Sequence, residues 1–415
     1  MKINEDLRKL IQPLSFDEKE ILTQSIKHEG CRDALVVWDD TLIDGHNRYE
    51  ICTAFDIPFN TINKEFENIE EAKQWMINNQ LGRRNLTDGW KYELIQVKKA
   101  LLMEKGREKQ KTSTGGITPQ LLPTMGKGCS HNSRDELSNE LSWSNGKISR
   151  ADKVWAKATP EVKEQIKAGE TTFNQAYNAI RLSQKKKEYI KSSAENIITP
   201  PVIHLIDCID YLNSFEDNSI DAIITDPPYI TDIDDINEFV RSWLPLAIQK
   251  TKLTGRMYIC TGAYPKEVQV YLNVLLDQDK FIIDNPLIWT YRNTLGVTPK
   301  MKYNLNYQMI WHLYSKNSPE LDTGITNDMF SVQDINAPDG RIGNRLHTWQ
   351  KPDELADRLV RQGTLEGWRI VDPFACTGTI LLSGARMGRN AEGGDNNLEN
   401  IKIAEERGCK IEIHG

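Results

Sequence analysis

Hydrophobic and polar positions change period several times along the chain, and each change predicts an element. From Phe16 to His28 the apolar residues Ile21, Leu22 and Ile26 recur at helical spacing, which predicts a helix. Ala34 to Trp38 is a short apolar run. The pair Asp39-Asp40 then leads into Thr41-Leu42-Ile43, the pattern of a hairpin. A helix opens at Asp44-Gly45-His46-Asn47-Arg48-Tyr49-Glu50, and another covers Ile69 to Asn79 ahead of Leu81-Gly82-Arg83-Arg84-Asn85-Leu86-Thr87. Lys111 to Ser133 is rich in Gly, Thr, Ser and Pro, has no period, and reads as a flexible linker. Residues 134 to 182 carry helical patterning throughout. Asp135–Leu141, the turn Ser142-Trp143-Ser144-Asn145 and Gly146–Trp155 read as helix, tight turn, helix, with a helical hairpin from Val162 to Ile180 behind them. Ser183 to Thr199 is charged and reads as a connector. Pro200-Pro201 stops any helix, and strand and helix patterns then alternate to the C-terminus. The expected organisation is an α+β module over 1–110, a linker over 111–133, an all-α module over 134–185, a connector over 186–199 and an α/β module over 200–415. No internal repeat is visible.

Composition narrows the class. A chain of 415 residues suggests two or three domains. With 39% hydrophobic and 27% charged residues it can bury real cores. Mean hydropathy is −0.54, and no apolar run approaches the roughly 18 residues that a membrane helix needs. Met1-Lys2-Ile3-Asn4-Glu5-Asp6 has no apolar stretch of the secretory kind. Seven cysteines, an odd number with no CxxC pair, argue against a disulfide framework or a zinc ribbon. The expectation is a soluble, reduced, cytoplasmic protein with no membrane partner and no metal centre. Charge is unevenly placed: the net value is −7, yet Lys98 to Lys191 holds 19 basic against 10 acidic residues. A basic segment in an acidic chain is either a nucleic-acid footprint or a solvated, lysine-rich helical surface.

The C-terminal module carries the candidate chemistry. Ala222-Ile223-Ile224-Thr225 is an apolar strand that runs directly into Asp226-Pro227-Pro228-Tyr229. In an open α/β sheet, ligands gather beyond the carboxyl ends of strands. A carboxylate, two prolines and an aromatic ring therefore stand where a substrate would sit. Each proline fixes φ and removes a donor, which holds nearby carbonyl oxygens in set directions. The bland alternative is an ordinary turn closing a strand. A second strand, Arg369-Ile370-Val371, precedes Asp372-Pro373-Phe374-Ala375-Cys376-Thr377-Gly378-Thr379 and an apolar helix from Ile380 to Met387. Strand, small-residue loop and helix let backbone approach a ligand closely. Gly393-Gly394-Asp395 follows where the next strand should end, and an acidic side chain there suits ribose hydroxyls. Read alone, Asp395 is equally a surface aspartate in a turn.

Together these segments make residues 200–415 resemble the DNA amino-methyltransferases, which produce N6-methyladenine or N4-methylcytosine. Asp226-Pro227-Pro228-Tyr229 matches the catalytic motif of that family, and Asp372 to Thr379 resembles its S-adenosylmethionine loop. Lys351-Pro352, within His347-Thr348-Trp349-Gln350-Lys351-Pro352, matches the motif just upstream of that loop. Ile206-Asp207-Cys208 resembles the segment before the catalytic strand. With the catalytic motif first and the cofactor loop last, the order is the circularly permuted one called class beta. Two positions depart from the family pattern. Cys376 stands where glycine is usual, and a cysteine would be strained if that position needs φ > 0. Tyr307-Gln308 stand where a His-Glu pair is usual.

The resemblance implies a Rossmann-like fold, S-adenosylmethionine as cofactor, and methyl transfer to N6 of adenine in double-stranded DNA. Aspartate rather than serine at position 226 leans toward adenine over N4 of cytosine. The implied catalytic residues are Asp226, Pro227, Pro228 and Tyr229. The implied cofactor-binding residues are Asp207, Cys208, Asp226, Lys351, Asp372, Phe374, Cys376, Gly378, Thr379 and Asp395. An exocyclic amino group is a poor nucleophile because its lone pair is delocalised into the ring. If the Asp226 carboxylate and the Pro227 carbonyl accept its hydrogens, the nitrogen can turn tetrahedral and free that pair. The base has to leave the helix to be reached, and Tyr229 is expected to stack on it through its ring alone, with the hydroxyl idle.

The N-terminal segments resemble a second family. Asp44-Gly45-His46-Asn47-Arg48-Tyr49 and Arg84-Asn85-Leu86-Thr87 are similar to pieces of the ParB-like N-terminal domain, whose equivalents in partition proteins bind CTP. Arg83 and Arg84 are the candidate phosphate holders. Residues 134–185 resemble the helix-turn-helix that follows that domain, with Ser144, Lys147, Ser149 and Arg150 the candidates for DNA contact. A homodimer is also an expectation, and the fusion suits a phage or other mobile element. Target selection is expected between Tyr291 and Arg345. The competing reading from another class is a non-enzymatic, CTP-gated DNA-binding protein whose methyltransferase part has decayed.

Overall fold

The computed structural model describes residues 1–82, 86–112, 141–294, 296, 298, 300–322, 324 and 328–413. The chain divides into two compact units, residues 1–181 and 182–415. Arg83-Arg84-Asn85, nearly all of the 111–133 linker and the first predicted helix of the helix-turn-helix lie outside the described residues.

In the first unit, α1 (Glu5–Arg8) and α2 (Phe16–Glu29) precede the strands β1 (Leu35–Trp38) and β2 (Thr41–Asp44). Helix α2 starts on a capping box between Ser15 and Glu18, which satisfies two of the otherwise unpaired amides of its first turn. Its buried contact is Ile26, whereas Ile21 is exposed, so the inward face is narrower than the apolar spacing suggested. Asp39 and Asp40 both take positive φ (45° and 63°), the geometry a two-residue hairpin turn needs to match strand twist. Helix α3 (His46–Ala54) leads to β3 (Thr61–Asn63), which pairs in parallel with β1. This strand is exposed along its whole length and left no apolar signature to read.

Four helices follow: α4 (Ile69–Leu81), α5 (Asp88–Thr112), α6 (Asn145–Lys157) and α7 (Pro160–Ala168). Leu7, Ile43, Met76, Ile77 and Leu94 form one core. Tyr92, Trp143, Ile148 and Phe173 form another, in which the Tyr92 and Trp143 rings stack at 6.3 Å. Helix α8 (Phe173–Ser193) is continuous through residues that were read as connector. Its charged Lys185-Lys186-Lys187 run is a solvated helix face rather than a break in structure.

The second unit is built on one sheet. Its strands are β4 (Val202–Leu205), β5 (Ile220–Thr225), β6 (Thr251–Thr261), β7 (Ile282–Ile283), β8 (Leu287–Thr290), β9 (Tyr307–Tyr314), β10 (Val332–Asp334), β11 (Arg369–Asp372), β12 (Asn390–Asp395) and β13 (Lys410–Ile413). The order is β10-β8-β9-β6-β5-β11-β12-β4-β13, with β7 beside β9. Every neighbour pair from β6 to β13 is parallel, and β9 runs antiparallel to β6 and β8.

Strands buried on both faces read as near-continuous apolar runs, and β5, with Ala222-Ile223-Ile224, is one of them. Its side chains alternate between two cores. Ala222 and Ile224 pack with helices α12 (Asp353–Gly363), α13 (Thr379–Arg386) and α14 (Leu398–Glu406) through Leu355, Leu359, Leu382 and Ile401. Ile223 faces the other way, toward α9 (Cys208–Asn213), α10 (Ile236–Lys250) and α11 (Pro265–Leu276) through Leu212, Trp243 and Tyr271. The result is three layers, with helices on both faces of the sheet. The chain leaves β5 through α10 to β6 on one side and leaves β11 through α13 to β12 on the other. The switch in direction therefore falls between β5 and β11, where a crevice opens at the strand ends.

Candidate active site

The carboxyl ends of β5, β11, β12 and β4 are adjacent in the sheet, and one cleft of about 370 Å³ runs across all four. Asp226 to Tyr229 line it after β5, Pro373, Phe374 and Cys376 after β11, Asp395 to Asn397 after β12, and Ile206 to Cys208 after β4.

After β5, Asp226 is held by a network rather than left free. Its carboxylate pairs with the Lys351 ammonium and accepts a hydrogen bond from the Tyr229 hydroxyl at 2.6 Å. Lys351 also donates to that hydroxyl at 2.9 Å, and the Gln308 side chain lies 2.9 Å from it. Burial and the neighbouring Asp226 charge push the Tyr229 phenol well above its ordinary value, so it stays neutral. The hydroxyl expected to be idle is thus the junction of three polar side chains, and the ring is only 6% exposed. Behind the loop, fully buried Glu267 accepts from the Ile230 amide at 3.0 Å and the Gly262 amide at 2.6 Å. Burial pushes the Glu267 carboxyl up.

After β11 the loop buries Asp372, while Pro373, Phe374 and Cys376 line the cleft. Asp372 accepts from Thr225 Oγ1 at 2.6 Å and from the Phe374 amide at 3.1 Å. Burial pushes its carboxyl up to about 7. Cys376 takes φ 47°, so the strain anticipated for a cysteine at this position is present. Its amide donates to Asp395 Oδ2 at 2.9 Å, and its thiol lies 3.4 Å from His347 Nδ1. Gly378, at φ 73°, opens α13, and a Cβ there would come within 2.8 Å of the Cys409 sulfur. Phe374 reaches the cleft from between Trp243 and Phe239, at 5.2 and 5.7 Å.

Asp395, at the end of β12, accepts from the amides of Cys376 and Asn397 and from Asn400 Nδ2 at 3.2 Å. Burial raises its pKa. Asp207 caps α9 by accepting from the Ile209 amide at 2.8 Å, and Cys208 lines the cleft beside it.

Several residues assigned to cofactor by resemblance sit elsewhere. Lys351 is turned onto Asp226 and Tyr229 and does not line the cleft. Asp372 lies one layer behind the wall, committed to Thr225. Thr379 is turned away, accepting from Arg407 Nη1 at 2.8 Å, and Gly378 contributes close packing rather than a lining surface. Arg407 is fully buried and also donates to the Thr377 carbonyl at 2.9 Å, clamping the loop from inside. The sequence reading missed His347, Trp349, Phe239, Asp232 and Asn400, which line the cleft, and Gln308, which braces Tyr229. His347 and Trp349 stood inside a motif already singled out, which was the available signal.

In the first unit, Ser144 caps α6 by accepting from the Lys147 amide at 3.3 Å. Lys147 pairs with Asp88 at 2.6 Å and lies over the Trp143 ring at 4.0 Å, so its charge is engaged within the protein. Ser149 and Arg150 are half-buried.

In a mostly parallel sheet, the crevice at the switch point beyond the strand ends is where ligands bind. Residues 220–406 match the DNA methylase family. The chain is 28% identical over 228 residues to the Type II methyltransferase M.HpaI of Haemophilus parainfluenzae, covering 48% of this chain and 71% of the relative. It is 25% identical to M2.DpnII of Streptococcus pneumoniae, over 48% of this chain and 87% of that one. Among solved structures, the PvuII cytosine-N4-specific DNA methyltransferase aligns over 52% of this chain and 91% of its own, at 17% identity and a TM-score of 0.45. The C-terminal part of the chain, over residues 220–406, is similar to DNA methyltransferases of the N6/N4 family. No helix among the described residues is long and apolar enough to cross a membrane.

Proposed function

We propose that the protein transfers a methyl group from S-adenosylmethionine to N6 of adenine in double-stranded DNA. The observation that carries this reading is the placement of Asp226. It is a carboxylate at the end of an apolar strand, on the wall of a cleft that also holds Phe374 and Asp395.

The cleft suits the cofactor in size and donor set. Small-molecule sites begin at about 300 Å³. Phe374 offers a ring face. Asp395 lines the cleft and presents a carboxylate, the acceptor a ribose hydroxyl needs, held in place by the Cys376 and Asn397 amides and the Asn400 side chain. When bound, S-adenosylmethionine supplies a methyl already activated on a sulfonium.

The chain's own residues then orient and polarise. Lys351 and Tyr229 fix the Asp226 side chain so that its carboxylate meets the amino group in one geometry. The Pro227 carbonyl, held rigid by two consecutive prolines, is the second acceptor. Hydrogen bonds from the amino group to these oxygens strengthen as positive charge grows on nitrogen, and that difference raises rate rather than affinity. In this reading residues 134–185 serve as the accompanying DNA-holding module. Incubating the full chain with labelled cofactor and unmethylated bacterial DNA, then digesting to nucleosides, tests the reading. Label in N6-methyl-2′-deoxyadenosine is expected, and DNA without label, or with label only in cytosine, would sink it.

A further inference from the structure

We infer that Trp349 is the aromatic platform on which the acceptor base stacks, an inference that rests on the DNA-methylation reading. A flat base brought beside Asp226 needs an accessible ring to replace the stacking it leaves. Tyr229 lines the cleft but offers little open ring surface. Its ring is 6% exposed, and its hydroxyl is tied to Asp226, Lys351 and Gln308. Trp349 is 47% exposed and lines the same cleft as Asp226, Pro227 and Pro228. Its ring meets that of Tyr229 edge-on, at 5.9 Å and 71°.

Its exposure is not that of a loose loop. The next residue, Gln350, is 5% exposed. Its amide nitrogen donates to the Asn344 carbonyl at 3.1 Å and to the Tyr189 hydroxyl at 2.7 Å, and its oxygen accepts from the Leu346 amide at 2.8 Å. The residue after that, Lys351, is locked onto Asp226. On the other side, His347 Nδ1 accepts from the Trp349 amide at 3.3 Å and lies beside the Cys376 thiol. A large apolar ring is thus carried into the cleft mouth by a segment pinned from inside, at the edge where the carboxylate acceptor stands. Preorganisation of this kind lowers the entropy cost of holding a substrate in place.

The test compares Trp349→Ala and Trp349→Phe in the full chain, using labelled S-adenosylmethionine and DNA from a strain lacking its own methylation. Trp349→Ala is expected to lose about tenfold to a hundredfold in kcat/KM for DNA, the loss that removal of a stacking ring produces. The dissociation constant for S-adenosylmethionine, by calorimetry, should be unchanged. Trp349→Phe keeps a π-face and should recover most of the loss, which separates stacking from a folding defect. DNA-dependent quenching of tryptophan emission should shrink in both variants. Wild-type kcat/KM in Trp349→Ala, or a loss explained by weaker cofactor binding, would overturn the inference while leaving the methylation reading intact. A wild-type chain that methylates no DNA would remove both.

Discussion

Two Asp-Pro pairs stand at the carboxyl ends of neighbouring parallel strands, Asp226-Pro227 after β5 and Asp372-Pro373 after β11, and they are used in opposite ways. Asp226 faces the cleft, and its charge is held by Lys351 and Tyr229. Asp372 is 2% exposed and is spent on its own fold, accepting from Thr225 and Phe374. One loop presents side chains to a ligand. The other hides its aspartate and lines the cleft with Phe374 and Cys376 instead. The same dipeptide at the same kind of strand end therefore does not define a role. What the neighbouring side chains offer the carboxylate, an ammonium and a phenol or a buried hydroxyl, decides it.

The largest effect expected from this contrast is at Asp226. Removal of one preorganised group typically costs about 10²–10³ in rate, so Asp226→Ala should leave methyl transfer at or below that level, and its melting temperature should also fall because Lys351 loses its buried carboxylate partner. A variant at near wild-type turnover would erase the distinction between the two loops.

Asp372 should report in stability instead. Its folded pKa of about 7 lies above the unfolded value near 3.8. Its contribution is therefore complete below about pH 4 and is lost as pH rises through 7, a span on the order of 4 kcal/mol. Melting of Asp372→Asn against wild type between pH 4 and 8 should show the gap narrowing, or reversing, as pH rises. Parallel curves would mean that Asp372 is not buried as described.

Tyr229→Phe sharpens the role of the network around Asp226. Deleting the hydroxyl leaves Lys351 and Gln308 each short of a partner, and an unsatisfied buried group costs about 1–3 kcal/mol. Turnover should fall by about tenfold, whereas a ring-only role for Tyr229 predicts no change. The smallest effect is at Cys376. Glycine accepts φ 47° without strain, so Cys376→Gly should raise stability by up to about 1 kcal/mol in urea unfolding. A clear loss would show that the thiol contact to His347 outweighs the strain.

How much of this could be read beforehand follows from the range of each interaction. The strand ends at Thr225 and Asp372, and the hairpin at Asp39-Asp40, were legible because apolar runs and turn chemistry are local. The strain at Cys376 was legible as a condition, since a loop of that type favours glycine. The direction of Lys351 was not. Its partner Asp226 is 125 positions away, and a motif match says nothing of where a long side chain points. The same holds for Gln308, which reaches Tyr229 from another strand, and for Arg407, which clamps Thr377 and Thr379 from the far end of the domain. Helix α8 was misread as a connector beyond residue 185 because charge was taken for a break. Strand β3 was missed because an exposed strand of three residues has no period to detect.

The most direct test of the central claim is nucleoside mass spectrometry of DNA from methylation-deficient bacteria expressing the wild-type chain or Asp226→Ala. The account predicts N6-methyladenine with the wild type and none with the variant, at equal levels of folded protein. Equal modification in both, or unmodified DNA in both, would contradict it.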